Sequence, residues 1–348
     1  MSMDGGLIAV LGAGSIGLYI GGRLAATGSR VRFIGRERLA AEIAANGLRL
    51  TDQVGSDLRL APGSVDFRTD PMGLTKADLI LLTVKAGDTE AAGAELARYA
   101  PRDALIISFQ NGIGNEDVLR RLLPGRTILP GMVPFNVVRQ PNSTFKQATG
   151  GALDIEKSAA LEPWLDAFRR AGLPLSQHGS LRSIQWGKLL MNLNNAISGL
   201  SGLPLREELS QRDYRRCLAL AQQEALAAMH AADIQPARMT PLPPKWLPHF
   251  LRLPDWIFLR LAGRIMSIDP AARSSMIDAL DTGRKTDVDW LNGEIVRLAE
   301  GQGLTAPANR RLVDLIHRTE AASRRRWSGP ELWAELKAVS NLRTGKRP

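Results

Sequence analysis

The stretch "LIAVLGAGSIGLYIGGRLAATGSRVRFIGRE", residues 7–37, limits the possible folds more than any other part of the chain. A short apolar run, Leu7 to Leu11, leads into Gly12, Gly14 and Gly17 in GxGxxG order. An apolar-periodic segment then runs to Gly28, and a second apolar run follows, Val31 to Gly35. That is the pattern of strand, glycine turn, helix and strand. Gly12 permits a tight turn, Gly14 lets a pyrophosphate approach the backbone, and Gly17 lets the helix pack closely on the strand. The free N–H groups of the helix start then face the phosphates. The turn Gly12, Ala13, Gly14, Ser15, Ile16 and Gly17 is therefore the expected dinucleotide-binding segment.

The end of the second strand discriminates between cofactors. A site for NAD usually places an acidic residue there, whereas this chain has Gly35, Arg36 and then Arg38. A guanidinium pairs bidentately with a 2′-phosphate, so NADPH is expected, with Arg36 on the phosphate and Glu37 turned away. Two further buried-strand patterns end in polar residues. One is Leu79 to Val84, closing on Lys85, and the other is Leu105 to Phe109, closing on Gln110, Asn111 and Gly112. Ligands of an open parallel sheet bind beyond the carboxyl ends of its strands, which makes Lys85 and Asn111 candidate site residues. Residues 47–70 alternate as a small hairpin before the third strand, and 143–156 read as more strand, with an antiparallel edge. A helix over 161–171 and a last strand, "LPLSQHG", complete this half.

From Ser180 the apolar period becomes helical, over 182–200, 206–232, 271–299, 306–323 and a short 330–340. The expected architecture is α/β: a Rossmann-type dinucleotide-binding domain over 1–180 and an all-α domain over 181–348. Six prolines between Pro236 and Pro254 preclude a regular helix there. Trp246, Phe250 and Trp256 make that excursion too apolar for a loose linker, so it offers a surface to a lid or a partner, a homodimer included.

Composition excludes several classes. Apolar residues make up 44% and charged residues 23%, enough for a packed core. No uncharged apolar run is long enough to span a bilayer; the greasiest stretch, "DWIFLRLAGRIMSI", is broken by Arg260 and Arg264. The N-terminal apolar run reads as a first strand rather than a signal peptide, so a cytoplasmic protein is expected. The one cysteine, Cys217, reads as a buried thiol, and the four histidines show no metal-ligand spacing. A net charge of +10 favours anionic ligands, but the excess is spread out. Its densest runs, 324–327 and 345–348, accompany no nucleic-acid-binding motif, so nucleic acid is not an expected partner.

One helix is awkward. In "WGKLLMNLNN", residues 186–195, Lys188, Asn192 and Asn195 fall at i, i+4 and i+7, on one face of an otherwise apolar helix. Asparagine is a poor helix former, so an amide ladder beside one ammonium needs a reason. With "GAGSIG", "VKA", "QNGIG", "RSSM" and "TDVDWLNGE", this segment resembles the ketopantoate reductase (2-dehydropantoate 2-reductase) family over nearly the full length. The resemblance implies that Lys188 is the general acid, that Asn192 binds substrate oxygens, and that Ser275 binds the substrate carboxylate. It also implies that Asn111 touches nicotinamide and substrate and that Lys85 lies near both. Asp287 would reach the active site as a catalytic and cofactor-contacting group. The chain departs from the family at three places: Ala196 where asparagine is common, Asp287 where glutamate is commoner, and Ala272 where asparagine is frequent. Asn195, on the Lys188 face, is a candidate substitute for the first.

The chemistry accounts for the awkward helix independently. Ketone reduction needs a hydride donor and a proton donor on the forming alkoxide. A lysine supplies both the proton and a stabilising positive charge. Neighbouring amides orient oxygens without titrating, whereas a carboxylate would hold the lysine protonated. Reduction of 2-dehydropantoate by NADPH is the expected activity. A reductase of another 2-oxo acid or an imine, and a non-catalytic NADP(H)-binding regulator, are the alternatives.

Overall fold

Four apolar residues, Ile, Ala, Val and Leu, build the first strand, β1 (Ile8–Leu11), every residue of which is buried in the computed structural model. The structure describes residues 6–265, 273–321 and 325–341. The chain divides into two compact units, Met1–Leu181 and Arg182–Pro348.

In the first unit β1 is followed by α1 (Ser15–Ala26), β2 (Val31–Ile34), α2 (Glu37–Asn46), β3 (Leu48–Thr51), β4 (Asp57–Leu60) and β5 (Asp66–Arg68). Then come β6 (Leu79–Leu82), α3 (Thr89–Tyr99), β7 (Leu105–Ser108), α4 (Asn115–Leu122) and β8 (Ile128–Met132). The unit closes with β9 (Val137–Gln140), β10 (Thr144–Gln147), β11 (Leu153–Glu156), α5 (Glu162–Arg170) and β12 (Leu175–His178). Eight strands form one sheet in the order β12-β11-β8-β7-β6-β1-β2-β5. From β5 to β8 all neighbours are parallel. The chain steps from the edge strand β5 back to β6 beside β1, which creates a topological switch point between β1 and β6. β11 runs antiparallel to β8, and β12 is parallel to β11.

The hairpin expected over 47–70 is present as β3 and β4, but it belongs to a second sheet, β4-β3-β10-β9. β10 pairs parallel with β3 and antiparallel with β9, so the strand run over 143–156 is split between two sheets. α1 lies between them, and Gly17 through Leu24 are all buried. Adjacent glycines make this possible. A Cβ on Gly21 would press on Phe33 and Val10 of the large sheet, and one on Gly22 would press on Leu48 and Leu50 of the small one. Buried Arg23 ties the layers together, donating to the Ala171 carbonyl, the Tyr19 hydroxyl and Asp52 at 2.8–3.0 Å.

The second unit is helical: α6 (Arg182–Asn192), α7 (Asn194–Ser201), α8 (Leu205–Ser210), α9 (Arg212–Ala231), α10 (Leu247–Leu251) and α11 (Asp255–Ile265). It continues with α12 (Ser275–Asp281), α13 (Asn292–Gly301), α14 (Pro307–Ala321) and α15 (Gly329–Asn341). Three of the expected long helices are divided. The first breaks at Leu193, whose backbone nevertheless stays helical, so α6 and α7 share a face. The second breaks at Gln211, which is extended. In the third, Gly283 takes φ +63°, and a turn and a short 3-10 segment, Val288–Trp290, intervene. Ala272 and the basic run 345–348 lie outside the described residues, as does Arg324 of the run 324–327.

The proline-rich excursion contains more helix than its prolines predicted. Pro248 is accommodated in the first turn of α10, where no intrahelical N–H is needed. Arg215, fully buried on α9, holds the segment down. It donates to the carbonyls of Leu209, Leu251 and Leu253 at 2.8–3.1 Å and to Asp255 at 2.8 Å, and stacks 4.1 Å from the Phe258 ring. Among the described residues no helix is long and apolar enough to cross a membrane.

Candidate active site

The glycine turn leaves β1 at the switch point. Gly12 has φ +95°, a conformation that favours glycine. Its added Cβ would stand 2.6 Å from the Val84 backbone nitrogen. At Gly17 a Cβ would meet Thr83 Oγ1 at 2.5 Å and the Gly12 carbonyl at 2.8 Å. Both glycines are therefore required by the fold itself, because β1, α1 and the end of β6 nearly touch. Gly14 differs. It is exposed, its φ is −91°, and the nearest heavy atom to an added Cβ is 3.9 Å away. Neither backbone conformation nor internal packing demands glycine there, so its bare backbone is left for a ligand. Gly14 is also the N-cap of α1 and offers no side-chain cap, so the first-turn N–H groups point outward unmasked by any side chain. A pyrophosphate fits this cradle. Ser15 and Ile16 are half-buried, whereas the Ala13 side chain is buried and can present only backbone.

These roles separate experimentally. Threonine ranks with glycine as an N-cap, so Gly14→Thr should change stability by less than about 0.5 kcal/mol. It should nevertheless weaken dinucleotide binding about 10–100-fold, the equivalent of one or two lost phosphate hydrogen bonds. Gly17→Ala should instead destabilise by about 1–3 kcal/mol through overpacking. Melting curves and dinucleotide titrations of both variants check the contrast. A Gly14→Thr protein that binds dinucleotide normally would remove Gly14 from the site.

The other candidates of this unit follow the carboxyl ends of neighbouring parallel strands of the same sheet. Gly35 follows β2, and its Cβ would press at 2.9 Å on the Ala13 methyl, so the end of β2 lies beside the glycine turn. Arg36 is the exposed N-cap of α2, and Glu37 and Arg38 in its first turn are exposed as well. Lys85, half-buried, follows β6, and Asn111, exposed, follows β7.

In the helical unit Lys188, Asn192 and Asn195 are all half-buried, between the buried Trp186, Leu189, Leu190 and Leu193. The shared face expected from spacing is thus present across α6 and α7. Ala196 is fully buried. Ser274 is the buried N-cap of α12, its Oγ accepting from the Ile277 N–H at 3.3 Å. That leaves Ser275 as the exposed first residue of the helix. α12 packs on α7, since a Cβ on Gly199 would meet Met276 and Leu280 at 3.2–3.3 Å. Asp287 is half-buried, immediately before the 3-10 turn.

Sequence reasoning missed a buried acid. Glu208 of α8 is fully buried and faces α7, accepting from Ser201 Oγ at 3.3 Å. Asn194 Nδ2 donates to Ser198 Oγ at 3.2 Å in the same cluster. Burial pushes the Glu208 carboxyl up to about 7, against the pull of Ser198, Asn194 and Ser201. The available signal was Asn194, Ser198 and Ser201 at helical spacing, a second polar stripe on an apolar helix. Cys217 is buried and burial pushes its thiol well up, which makes it unreactive. Among the described residues no cluster of His, Cys, Asp or Glu could hold a metal ion.

The profile described as "Ketopantoate reductase PanE/ApbA" matches residues 8–160, and "Ketopantoate reductase PanE/ApbA C terminal" matches residues 180–320. The chain belongs to the ketopantoate reductase family. As a member it is an oxidoreductase with a small-molecule substrate, and its cofactor is a nicotinamide dinucleotide. It is 26% identical to a 2-dehydropantoate 2-reductase of Halobacterium salinarum, over 89% of this chain and 97% of the relative. It is 25% identical to one of Mycobacterium tuberculosis, over 89% and 96%. A ketopantoate reductase family protein from Ralstonia eutropha superposes with TM-score 0.77 at 29% identity, covering 90% of this chain and 98% of that one. D-mandelate dehydrogenase, solved with NADH and anilino(oxo)acetate, superposes with TM-score 0.76 over 90% and 98%, and at 20% identity the likeness is one of fold.

Proposed function

We propose that this ketopantoate reductase family member is a cytoplasmic, NADPH-dependent enzyme that reduces 2-dehydropantoate to pantoate in pantothenate biosynthesis. The observation that carries the reading is the half-buried Lys188 with Asn192 and Asn195 on its own helical face. The domain roles follow: the sheet-bearing unit, near 1–180, holds the dinucleotide, and the helical unit, near 181–348, supplies catalysis and substrate binding. When bound, the reduced nicotinamide supplies the hydride that substrate C2 accepts. Lys188 donates its Nζ proton to the carbonyl oxygen as charge develops there, and its positive charge lowers the barrier before the proton moves. Asn192 and Asn195 hold substrate oxygens without titrating, and Ser275, exposed at the start of α12, receives the carboxylate. Lys85 and Asn111 orient the reacting ends from the carboxyl ends of β6 and β7, and Asp287 completes the site. The exposed Trp246 and Trp256 would serve a homodimer.

Arg36 selects the phosphorylated cofactor. Arg36→Ala should raise the Kd for NADPH about 10–100-fold, the worth of one charge-assisted hydrogen-bonded pair, and leave NADH within about threefold. Equal losses for both would assign NAD instead.

The deciding experiment follows NADPH oxidation with 2-dehydropantoate against a panel of other 2-oxo acids and imines. Highest kcat/KM on 2-dehydropantoate upholds the proposal. Preference for another oxo acid moves the substrate, an outcome that buried Ala196 and the short Asp287 side chain would explain. Dinucleotide binding without turnover on any member leaves a regulator.

A further inference from the structure

Four buried polar side chains lie directly behind Lys85 and Asn111. Thr89 opens α3, Ser108 closes β7, Gln110 precedes Asn111, and Asn115 opens α4; each is at least nine-tenths buried. They form one hydrogen-bonded circuit. Ser108 Oγ donates to Gln110 Oε1 at 2.8 Å, and Gln110 Nε2 donates to Thr89 Oγ1 at 2.8 Å. The single Thr89 hydroxyl proton lies between two acceptors, the Ala86 carbonyl at 2.8 Å and Asn115 Oδ1 at 2.9 Å. Asn115 Nδ2 donates to the Asn111 carbonyl at 2.9 Å, and Gln110 Nε2 reaches the Lys85 carbonyl at 3.5 Å. The backbones of Lys85, Ala86 and Asn111 are thus all held by side chains that are almost wholly buried.

A staple between two helices would need one such bond. This circuit instead ends on the backbone of the two residues that follow β6 and β7. We infer that Thr89, Gln110 and Asn115 are positioning residues for the reduction, locking the Lys85 loop and the Asn111 loop to each other. The inference rests on the proposed roles of Lys85 and Asn111 and adds that neither loop can move alone. Buried polar groups enforce this because opening one loop strands donors and acceptors in the other.

Thr89→Val keeps the side-chain shape and removes the hydroxyl; Thr89→Ser keeps the hydroxyl. Hydrogen exchange of the full-length protein is read at residues 84–88 and 110–114, with steady-state kinetics alongside. Thr89→Val should speed exchange in both segments, although the substitution lies beside only one. The KM for 2-dehydropantoate should rise about tenfold and kcat should fall, the scale of a small misplacement of contacting groups. The Kd for NADPH, held by the glycine turn and Arg36, should stay within about twofold, and Thr89→Ser should restore both readouts. Asn115→Ala, acting from the other loop, should give the same double pattern and takes the place of Thr89→Val if that variant does not fold. Faster exchange confined to the substituted loop, or a lower melting temperature with unchanged KM, would overturn the inference. If the wild-type protein reduces no 2-oxo acid, the functional reading fails, and the paired exchange response alone decides whether the loops are locked.

Discussion

Lys188→Ala is expected to lower kcat about 10²–10⁴-fold, the usual contribution of a positioned general acid. Two effects add. The variant has no proton to give the alkoxide, and no positive charge meets the oxygen as the C2 bond forms. Ground-state binding should change less, because the substrate contacts proposed for Asn192, Asn195 and Ser275 do not involve Lys188, so KM should move far less than kcat. Lys188→Arg keeps the charge but not a readily released proton, since a guanidinium is effectively always protonated, and should remain severely impaired. Half-burial of Lys188 on a helix of mostly buried apolar neighbours predicts little change in melting temperature. Single-turnover rates and thermal melts of the three proteins measure this. Full turnover by the alanine variant would take Lys188 out of the mechanism and leave its helical face without a chemical explanation.

Glu208→Gln should stabilise the protein above neutrality by about 3 kcal/mol and remove this carboxyl's share of the loss of stability between pH 5 and 8. The carboxyl titrates at its ordinary 4.5 in the unfolded chain and at about 7 when folded. Between those values the folded state holds a proton that the unfolded state has released. The wild-type contribution is therefore complete below the lower value, declines as pH rises, and is gone once pH passes the folded value. The spread of the two titrations, at about 1.4 kcal/mol for each pH unit, gives the predicted size. Glutamine mimics the protonated acid and cannot ionise. Ser201 Oγ, which donates to the carboxyl at 3.3 Å, can donate equally to the amide oxygen of glutamine. Urea unfolding at pH 5 and pH 8 tests the idea, and an equal change in unfolding free energy between the two pH values for wild type and variant would exclude it.

Much of the first unit was legible because its signals are local. Apolar runs of four or five residues, glycines at fixed offsets and a period that switches from two to 3.6 all follow from backbone geometry within one element. They placed β1, α1, β2, β6, β7 and the polar residues beyond them. The second sheet was not legible as such. β3 pairs with β10, about half the length of the unit away in sequence, and no property of "LRLT" names its partner. Helix breaks were missed for a related reason. Gly283, Arg284 and Lys285 fall at positions where a solvent face of a helix tolerates polar residues, whereas a positive φ at Gly283 ends the helix. In the site, residue types at strand ends were readable, but the circuit behind them was not. Thr89 and Asn115 open helices, where threonine and asparagine are ordinary, and only the fold brings them within 2.9 Å. Glu208, in "LREEL", looks like one more surface acid until α7 covers it.

The enclosure of α1 between two sheets also dictates an order of assembly on the ribosome. β1, α1 and β2 emerge together and can pair at once. The outer flank of the helix gains part of its cover when β4 ends at Leu60, and more only when β10 ends at Gln147. For that interval a nascent chain carries a greasy helix with one side open to solvent. Chaperone occupancy should concentrate there, and fragments cut short of Gln147 should aggregate rather than fold.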